Sequence, residues 1–122
     1  MTEEAAQALR QAFDGYEAAL NANDVDALIG FFWNDPRAIR LQAGGGTYGF
    51  DAIAGFRKGR DVSDITRDLT RVDIVMLSAD IGVATCEYTR KLSGRKGAQS
   101  QVWQRFPAGW RIVSAHVSLA AD

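Results

Sequence analysis

The apolar residues of this chain change their spacing once, at about Thr66. Before that point they recur every three or four positions, as Leu9, Phe13, Tyr16 and Leu20 do, which is typical of amphipathic helices. After it they alternate with polar residues, which is typical of strands with one buried face. Helices followed by strands that are joined by short turns predict an α+β fold with an antiparallel sheet.

The helical half predicts three helices, of which the first ends near Ala22, the second follows Asn23-Asp24 and the third starts at Asp51. A strand is predicted at residues 38–42, before a turn at Gly44-Gly45-Gly46. The meander that follows is predicted at residues 66–76, 83–91, 100–106 and 110–119. A curved sheet wrapped around the first helix would leave a cavity on its concave face, where we expect a ligand site.

Length and composition exclude several classes of site. The 122 residues fit one domain, which we place at residues 1–122. The single cysteine, Cys86, excludes an internal disulfide, and one histidine leaves too few ligands for a common zinc site, so we expect no metal and no cofactor. With 14 basic and 15 acidic residues the net charge is −1, which favours neither nucleic acid nor a membrane as partner. No apolar run could span a bilayer and no signal-peptide core is seen, so we expect a cytoplasmic protein.

Half of the basic residues lie in one stretch of the chain. These are Arg37, Arg40, Arg57, Lys58, Arg60, Arg67 and Arg71. Arginine binds carboxylates through two parallel hydrogen bonds, so this stretch suits an anionic ligand in the predicted cavity. The alternative is a solvated surface with salt bridges.

Arg40 and Tyr16 are the first candidates for a functional site. Arg40 lies in mid-strand between Ile39 and Leu41 and points to the opposite face. If both faces are covered, Arg40 needs an anionic partner, either the carboxylate of Glu87 or that of a ligand. Tyr16 lies on the apolar stripe of the first helix. It is either a core residue or a donor or acid whose hydroxyl opens into the cavity.

Two polar faces on neighbouring strands are the second candidate. His116 alternates with Ser114 and Ser118 on the last strand, and Gln101, Trp103 and Arg105 alternate on the strand before it. Together they are typical of a pocket lining or of a solvent-facing sheet. Trp33 and Tyr48 are expected either to close the mouth of the pocket or to pack structurally.

Two segments carry a resemblance to a known family. They are FWNDPRAIR at residues 32–40 and GWRIVSAHVS at residues 109–118. With Tyr16, Tyr48, Arg57, Gln101 and Trp103, they resemble the HpxZ/AtzH-like family of the SnoaL-like superfamily, also called nuclear-transport-factor-2-like, over nearly the whole chain. The resemblance implies a cone-shaped fold in which three N-terminal helices pack on a curved, mostly antiparallel sheet.

The same resemblance implies a chemistry. Members are linked to the breakdown of ureido and carboxyurea compounds in oxalurate and cyanuric acid catabolism, which implies a metal-free hydrolase that decarboxylates 1,3-dicarboxyurea or a similar ureido acid. The tyrosine and arginine important in the family align with Tyr16 and Arg40, the catalytic candidates. The substrate-binding candidates are Trp33, Tyr48, Arg57, Glu87, Gln101, Trp103, His116 and Ser118. Carbon-acid isomerases of this fold use a carboxylate where this chain has Arg37 and Arg40, so proton abstraction beside a ketone is disfavoured.

Three functions follow from these features. The first is the hydrolase. The second is a non-catalytic protein that binds a small carboxylate and is accessory to a ureido-acid amidohydrolase. The third is a structural dimer whose Gln101, Trp103 and Arg105 face is buried between subunits. A homodimer is expected in each case, because an open curved sheet with an exposed tryptophan face commonly pairs.

Overall fold

The computed structural model describes residues 2–121 of the chain, which have an α+β fold. Its helices are α1 (Thr2–Asn21), α2 (Val25–Gly30) and α3 (Phe50–Gly59). Its strands are β1 (Ile39–Gln42), β2 (Gly45–Tyr48), β3 (Arg67–Met76), β4 (Ile81–Arg90), β5 (Lys96–Phe106) and β6 (Gly109–Leu119). No helix in this part of the chain is long and apolar enough to cross a membrane.

The long helix α1 forms because its apolar residues share one stripe. Leu9, Phe13, Tyr16 and Leu20 are all buried, and they pack against the sheet on the side of β3 and β4. Asp24 caps α2 by accepting a hydrogen bond from the backbone of Ala27 at 3.3 Å. Among the described residues only α1 is a long helix, since α2 has 6 residues and α3 has 10.

The six strands within residues 2–121 form one mixed sheet in the order β2-β1-β6-β5-β4-β3. All neighbours are antiparallel except β1 and β6, which run parallel. Strand β2 was not predicted, because a glycine run favours a turn over a strand. The turn is shorter than predicted: Gly44 and Gly45 have φ of 91° and 141°, and Gly45 already pairs with Gln42.

A β-bulge between β5 and β6 changes which residues share a face. Val102 pairs with Ser114, but the next residue, Trp103, pairs with Ile112. A bulge of this kind adds a residue to one strand and bends it. Simple alternation along the last strand therefore fails at this point, and Ile112 and Ala115 are both buried.

The core lies between α1 and the concave face of the sheet. Trp103 is 0% exposed there, and its ring meets Tyr16 and Phe31 edge to face. The prediction of an exposed tryptophan face is therefore wrong, and a dimer interface built on Gln101 and Trp103 is excluded because both are buried. The homodimer itself stays a prediction.

Candidate active site

A cavity of about 290 Å³ opens beside the end of α1, between α3 and the sheet. It is at the small end of the range for ligand pockets, which suits a compact ligand. Its walls contain six arginines, Arg40, Arg57, Arg60, Arg67, Arg90 and Arg95. None of the described residues that line it is Asp, Glu, His or Cys. The cavity is therefore rich in hydrogen-bond donors and positive charge.

Arg40 is held on the cavity wall by the alternation of β1. It is 6% exposed, its Nη1 donates to Oε1 of Gln42, and its guanidinium lies 4.3 Å from the ring centroid of Phe56. It forms no ion pair with any described residue. Burial, and then the nearby charge of Arg57, lower the pKa of Arg40 to about 10.

Arg57 and Tyr16 both line the cavity and are joined by a hydrogen bond. Arg57 comes from α3 and is 4% exposed, and its Nη2 donates to the hydroxyl oxygen of Tyr16. The Nε and Nη1 atoms of Arg57 are buried and have no hydrogen-bond partner among the described residues. Like Arg40, Arg57 is a buried cation without a carboxylate partner in that part of the chain.

Arg67, in contrast, is neutralised by a residue of α1. Its Nε and Nη2 donate to the two carboxylate oxygens of Glu17, and Nη2 also donates to Oε1 of Gln99 at 3.3 Å. Burial lowers the pKa of Arg67, but the hydrogen bonds and charge of Glu17 outweigh that effect and raise it above its usual value. The guanidinium lies 4.2 Å from the ring centroid of Tyr88.

The remaining arginines of the cavity are only partly buried. Burial, followed by the charge of Arg57, lowers the pKa of Arg60 to about 10. Arg90 lies 3.9 Å from a carboxylate oxygen of Asp64, and the Nε of Arg95 donates to the carbonyl of Ala120 at 2.9 Å. The unneutralised charge is therefore concentrated at Arg40, Arg57 and Arg60.

Four of the sequence-predicted residues line the cavity. They are Tyr16, Arg40, Arg57 and Ser118. Ser118 contributes to the wall where its carbonyl oxygen accepts a hydrogen bond from the hydroxyl of Tyr88 at 3.0 Å.

Glu87 and His116 lie on the opposite, convex face of the sheet. Both are exposed, and they share a shallow groove with Arg71 and Asp73. The prediction that Glu87 pairs with Arg40 is wrong, because Cys86 and Tyr88 on either side of it are the β4 residues that point inward. His116 pairs with Ser100 rather than with Gln101, so it cannot share a face with Gln101 and Trp103 as predicted.

The other predicted residues do not reach the cavity. Gln101 and Trp103 lie deeper in the core, where the indole Nε1 of Trp103 donates to Oε1 of Gln101 at 2.9 Å. Trp33 stacks on Phe106 with ring centroids 5.8 Å apart. Tyr48 is 65% exposed at the end of β2. Trp33 and Tyr48 therefore do not close the mouth of this cavity.

Several cavity residues were not singled out from the sequence. The polar ones are Gln42, Arg60, Arg67, Tyr88, Arg90, Arg95 and Gln99. The arginine-rich stretch was the available signal for Arg60 and Arg67, but it also included Arg37 and Arg71, which lie outside the cavity. No group of three or more His, Cys, Asp or Glu within residues 2–121 is arranged to hold a metal ion.

Comparison with known proteins assigns the family. The sequence profile of the AtzH-like family matches residues 2–122, almost the whole chain. The chain belongs to the AtzH-like family. A search of curated proteins finds no match.

Solved structures agree with this family assignment. The chain is 40% identical to a protein of unknown function of the DUF3225 family from Pectobacterium atrosepticum, with a TM-score of 0.90, covering 97% of this chain and 92% of that one. It is 33% identical to a cystatin-like fold protein from Burkholderia xenovorans, with a TM-score of 0.89 and coverage of 98% and 94%. A nuclear transport factor 2-like superfamily protein from Salmonella enterica has 24% identity, a TM-score of 0.80 and coverage of 100% and 95%. The last likeness shows that this AtzH-like chain has the fold of that superfamily.

Proposed function

We propose that the protein binds a small carboxylated urea or ureido acid in the arginine-lined cavity and, where the ligand carries an N-carboxyl group as 1,3-dicarboxyurea does, removes that group without a metal ion. The observation that carries this proposal is Arg40, a buried cation on the cavity wall that forms no ion pair with any described residue. A buried charge is costly unless it is paired, so a ligand carboxylate is a suitable partner. Membership of the AtzH-like family supports a small-molecule site.

Arg40 would hold one carboxylate of the ligand. One of its terminal nitrogens already donates to Gln42, and the planar guanidinium offers further N–H groups to an anion. Such charge-assisted hydrogen bonds are stronger than neutral ones.

Tyr16 would donate a hydrogen bond or a proton to the carbonyl oxygen or to the leaving nitrogen. Its hydroxyl lies on the same cavity wall and accepts from Arg57, which leaves its own proton available. A general acid must reach the group that gains charge as the bond breaks.

The lining residues favour bond cleavage by protonation over attack by an activated water. The cavity offers many donors, but no carboxylate, imidazole or thiol of a described residue lines it to act as a general base. In the proposed step, R–NH–COO⁻ and H⁺ give R–NH₂ and CO₂. The bond between nitrogen and the carboxyl carbon breaks, its electron pair goes to nitrogen, and the proton given by Tyr16 is replaced from water. Hydration of CO₂ to bicarbonate makes the overall reaction a hydrolysis.

A second candidate function is binding without turnover. The same lack of a general base suits a protein that holds a small carboxylate beside a separate amidohydrolase. The two functions share the cavity and Arg40 but differ in whether Tyr16 transfers a proton.

Release of CO₂ from 1,3-dicarboxyurea tests the proposal. We expect the wild type to accelerate release, and we expect both Arg40→Lys and Tyr16→Phe to remove most of the activity. His116→Ala, a change on the convex face, is the matched control and should leave the rate unchanged. Full turnover by both Arg40→Lys and Tyr16→Phe would refute the mechanism. A rise in melting temperature with ureido acids and no CO₂ over hours would favour the binding protein.

A further inference from the structure

Tyr16 and Arg57 meet inside the cavity although 41 positions separate them in the chain. Tyr16 lies in the buried stripe of α1, and Arg57 lies in the last turn of α3. Both side chains are more than nine-tenths buried, and a hydrogen bond joins Nη2 of Arg57 to the hydroxyl oxygen of Tyr16. This is a specific pairing of two helices at the wall of a ligand site.

The chemistry of the two groups fixes the direction of this hydrogen bond. A guanidinium carries five N–H donors and no acceptor, so the oxygen of Tyr16 must be the acceptor. The single proton of the phenol is therefore not used in the bond with Arg57. Among the described residues, none accepts a hydrogen bond from the Tyr16 hydroxyl. That proton is left for an acceptor in the cavity.

The contacts of Arg57 with other described residues do not offset the free-energy cost of burying its charge. Its guanidinium carbon lies 5.7 Å from the ring centroids of Tyr16 and Phe32 and 5.9 Å from that of Phe56. These rings attract a cation, but two of its nitrogens still lack hydrogen-bond partners in the described chain. Burying unpaired N–H groups of a charged residue destabilises the folded state. This cost indicates that Arg57 has a role in the site.

We infer that Arg57 is a positioning residue that makes Tyr16 an obligatory hydrogen-bond donor to the ligand. By occupying the acceptor side of the phenol oxygen, Arg57 turns the proton toward the cavity and polarises the O–H bond. The site then recognises two separate features: a carboxylate at Arg40 and an uncharged carbonyl oxygen at Tyr16. This inference rests on the proposed function, because the acceptor it assigns is the carbonyl of a ureido group.

A double-mutant cycle tests the inference, with oxalurate as the probe and calorimetry as the measurement. We expect Tyr16→Phe and Arg57→Met each to weaken binding about tenfold, as the loss of one hydrogen bond would. Because Arg57 acts through Tyr16, the double variant should bind no more weakly than either single variant. If the double variant instead binds oxalurate about a hundredfold more weakly than the wild type, the two effects are independent. Arg57 would then contact the ligand directly, and the positioning role would be overturned.

Two further variants keep the test decisive if Arg57→Met does not fold. Lysine can only donate a hydrogen bond, whereas glutamine can donate or accept, so only Arg57→Gln can capture the proton of Tyr16. We expect Arg57→Lys to keep more of the affinity than Arg57→Gln. Equal or better binding by Arg57→Gln would contradict the inference. The infrared C–O stretch of Tyr16, assigned with Tyr16→Phe, should shift in Arg57→Gln, which a purely structural role would not require.

The controls separate failure of this inference from failure of the proposed function. Arg71→Met, at an exposed arginine outside the cavity, should leave oxalurate binding unchanged. If the wild type binds neither oxalurate nor 1,3-dicarboxyurea, the proposed function fails. A different set of results would refute only the role of Arg57. In that set the wild type binds oxalurate, Arg40→Met does not bind it, and Arg57→Met binds it as tightly as the wild type.

Discussion

Glu17 and Arg67 form a buried, bidentate ion pair at the wall of the cavity. The Arg67 Nε lies 2.9 Å from Oε1 of Glu17, and the Nη2 lies 2.5 Å from Oε2, with both side chains less than a tenth exposed. Glu17 thus neutralises one cavity arginine, while Arg40 and Arg57 have no carboxylate partner among the described residues. The unneutralised charge therefore lies at Arg40, Arg57 and Arg60, in the cavity where we propose that the ligand binds.

This ion pair predicts a large loss of stability in Glu17→Gln. The substitution leaves the buried Arg67 without a carboxylate, and such a change costs about 3–5 kcal/mol. Denaturant unfolding measures the difference in the free energy of unfolding. Asp14→Asn is the matched control in the same helix, because Asp14 pairs with Arg10 on the surface. We expect the control to cost about 0.5 kcal/mol or less, and equal costs for the two variants would contradict the role of Glu17.

Gly97 provides a second test of stability. A Cβ at this position of β5 would clash with the ring of Tyr88 and would lie 2.6 Å from the carbonyl oxygen of Ser118. Gly97→Ala should therefore lower the free energy of unfolding by about 1–3 kcal/mol. Gly55→Ala, in α3 with nothing near its Cβ, should instead raise it by about 0.5–1 kcal/mol. If Gly97→Ala had the same free energy of unfolding as the wild type, the cavity wall formed by Tyr88 would not be tightly packed.

The lowered pKa of Arg40 predicts how binding depends on pH. Its pKa of about 10 means that the empty site begins to lose this charge as the pH rises through that value. A carboxylate binds the protonated form, so oxalurate affinity should be full well below pH 10 and should fall above that pH by up to tenfold per pH unit. Calorimetry from neutral pH upward, with circular dichroism to confirm folding, measures this. Constant affinity to about pH 11 would contradict a pKa near 10 for the group that holds the carboxylate.

We expect substitutions of Glu87 and His116 to have no effect on oxalurate binding. Both lie on the convex face of the sheet, outside the arginine-lined cavity. Glu87→Gln and His116→Ala should therefore bind oxalurate as the wild type does. A loss of affinity of tenfold or more in either variant would mean that the ligand binds on the convex face instead.

Periodicity was sufficient to predict most of the architecture. The stripe from Leu9 to Leu20 predicted α1, and alternation after Thr66 predicted the four-stranded meander. These patterns predict the elements correctly because apolar residues repeat along the side of a helix or strand that packs against the core. Strand β2 was missed because pairing with β1, a tertiary contact, outweighs the low strand preference of its glycines.

The site was predicted only where local pattern and burial agree. Arg40 lies inside because Ile39 and Leu41 alternate with it on a short, regular strand. His116 was placed wrongly because alternation was followed through the last strand without the bulge opposite Trp103. Glu17 was missed because its role depends on Arg67, 50 positions away, and no local pattern records such a pair.

Titration of the wild type and of Arg40→Met with oxalurate tests the central claim most directly. Arg71→Met serves as the matched loss of one positive charge outside the cavity. We predict measurable binding by the wild type and by Arg71→Met, and loss of that binding in a folded Arg40→Met protein. Equal affinity in Arg40→Met and the wild type would contradict the claim that Arg40 holds the ligand carboxylate.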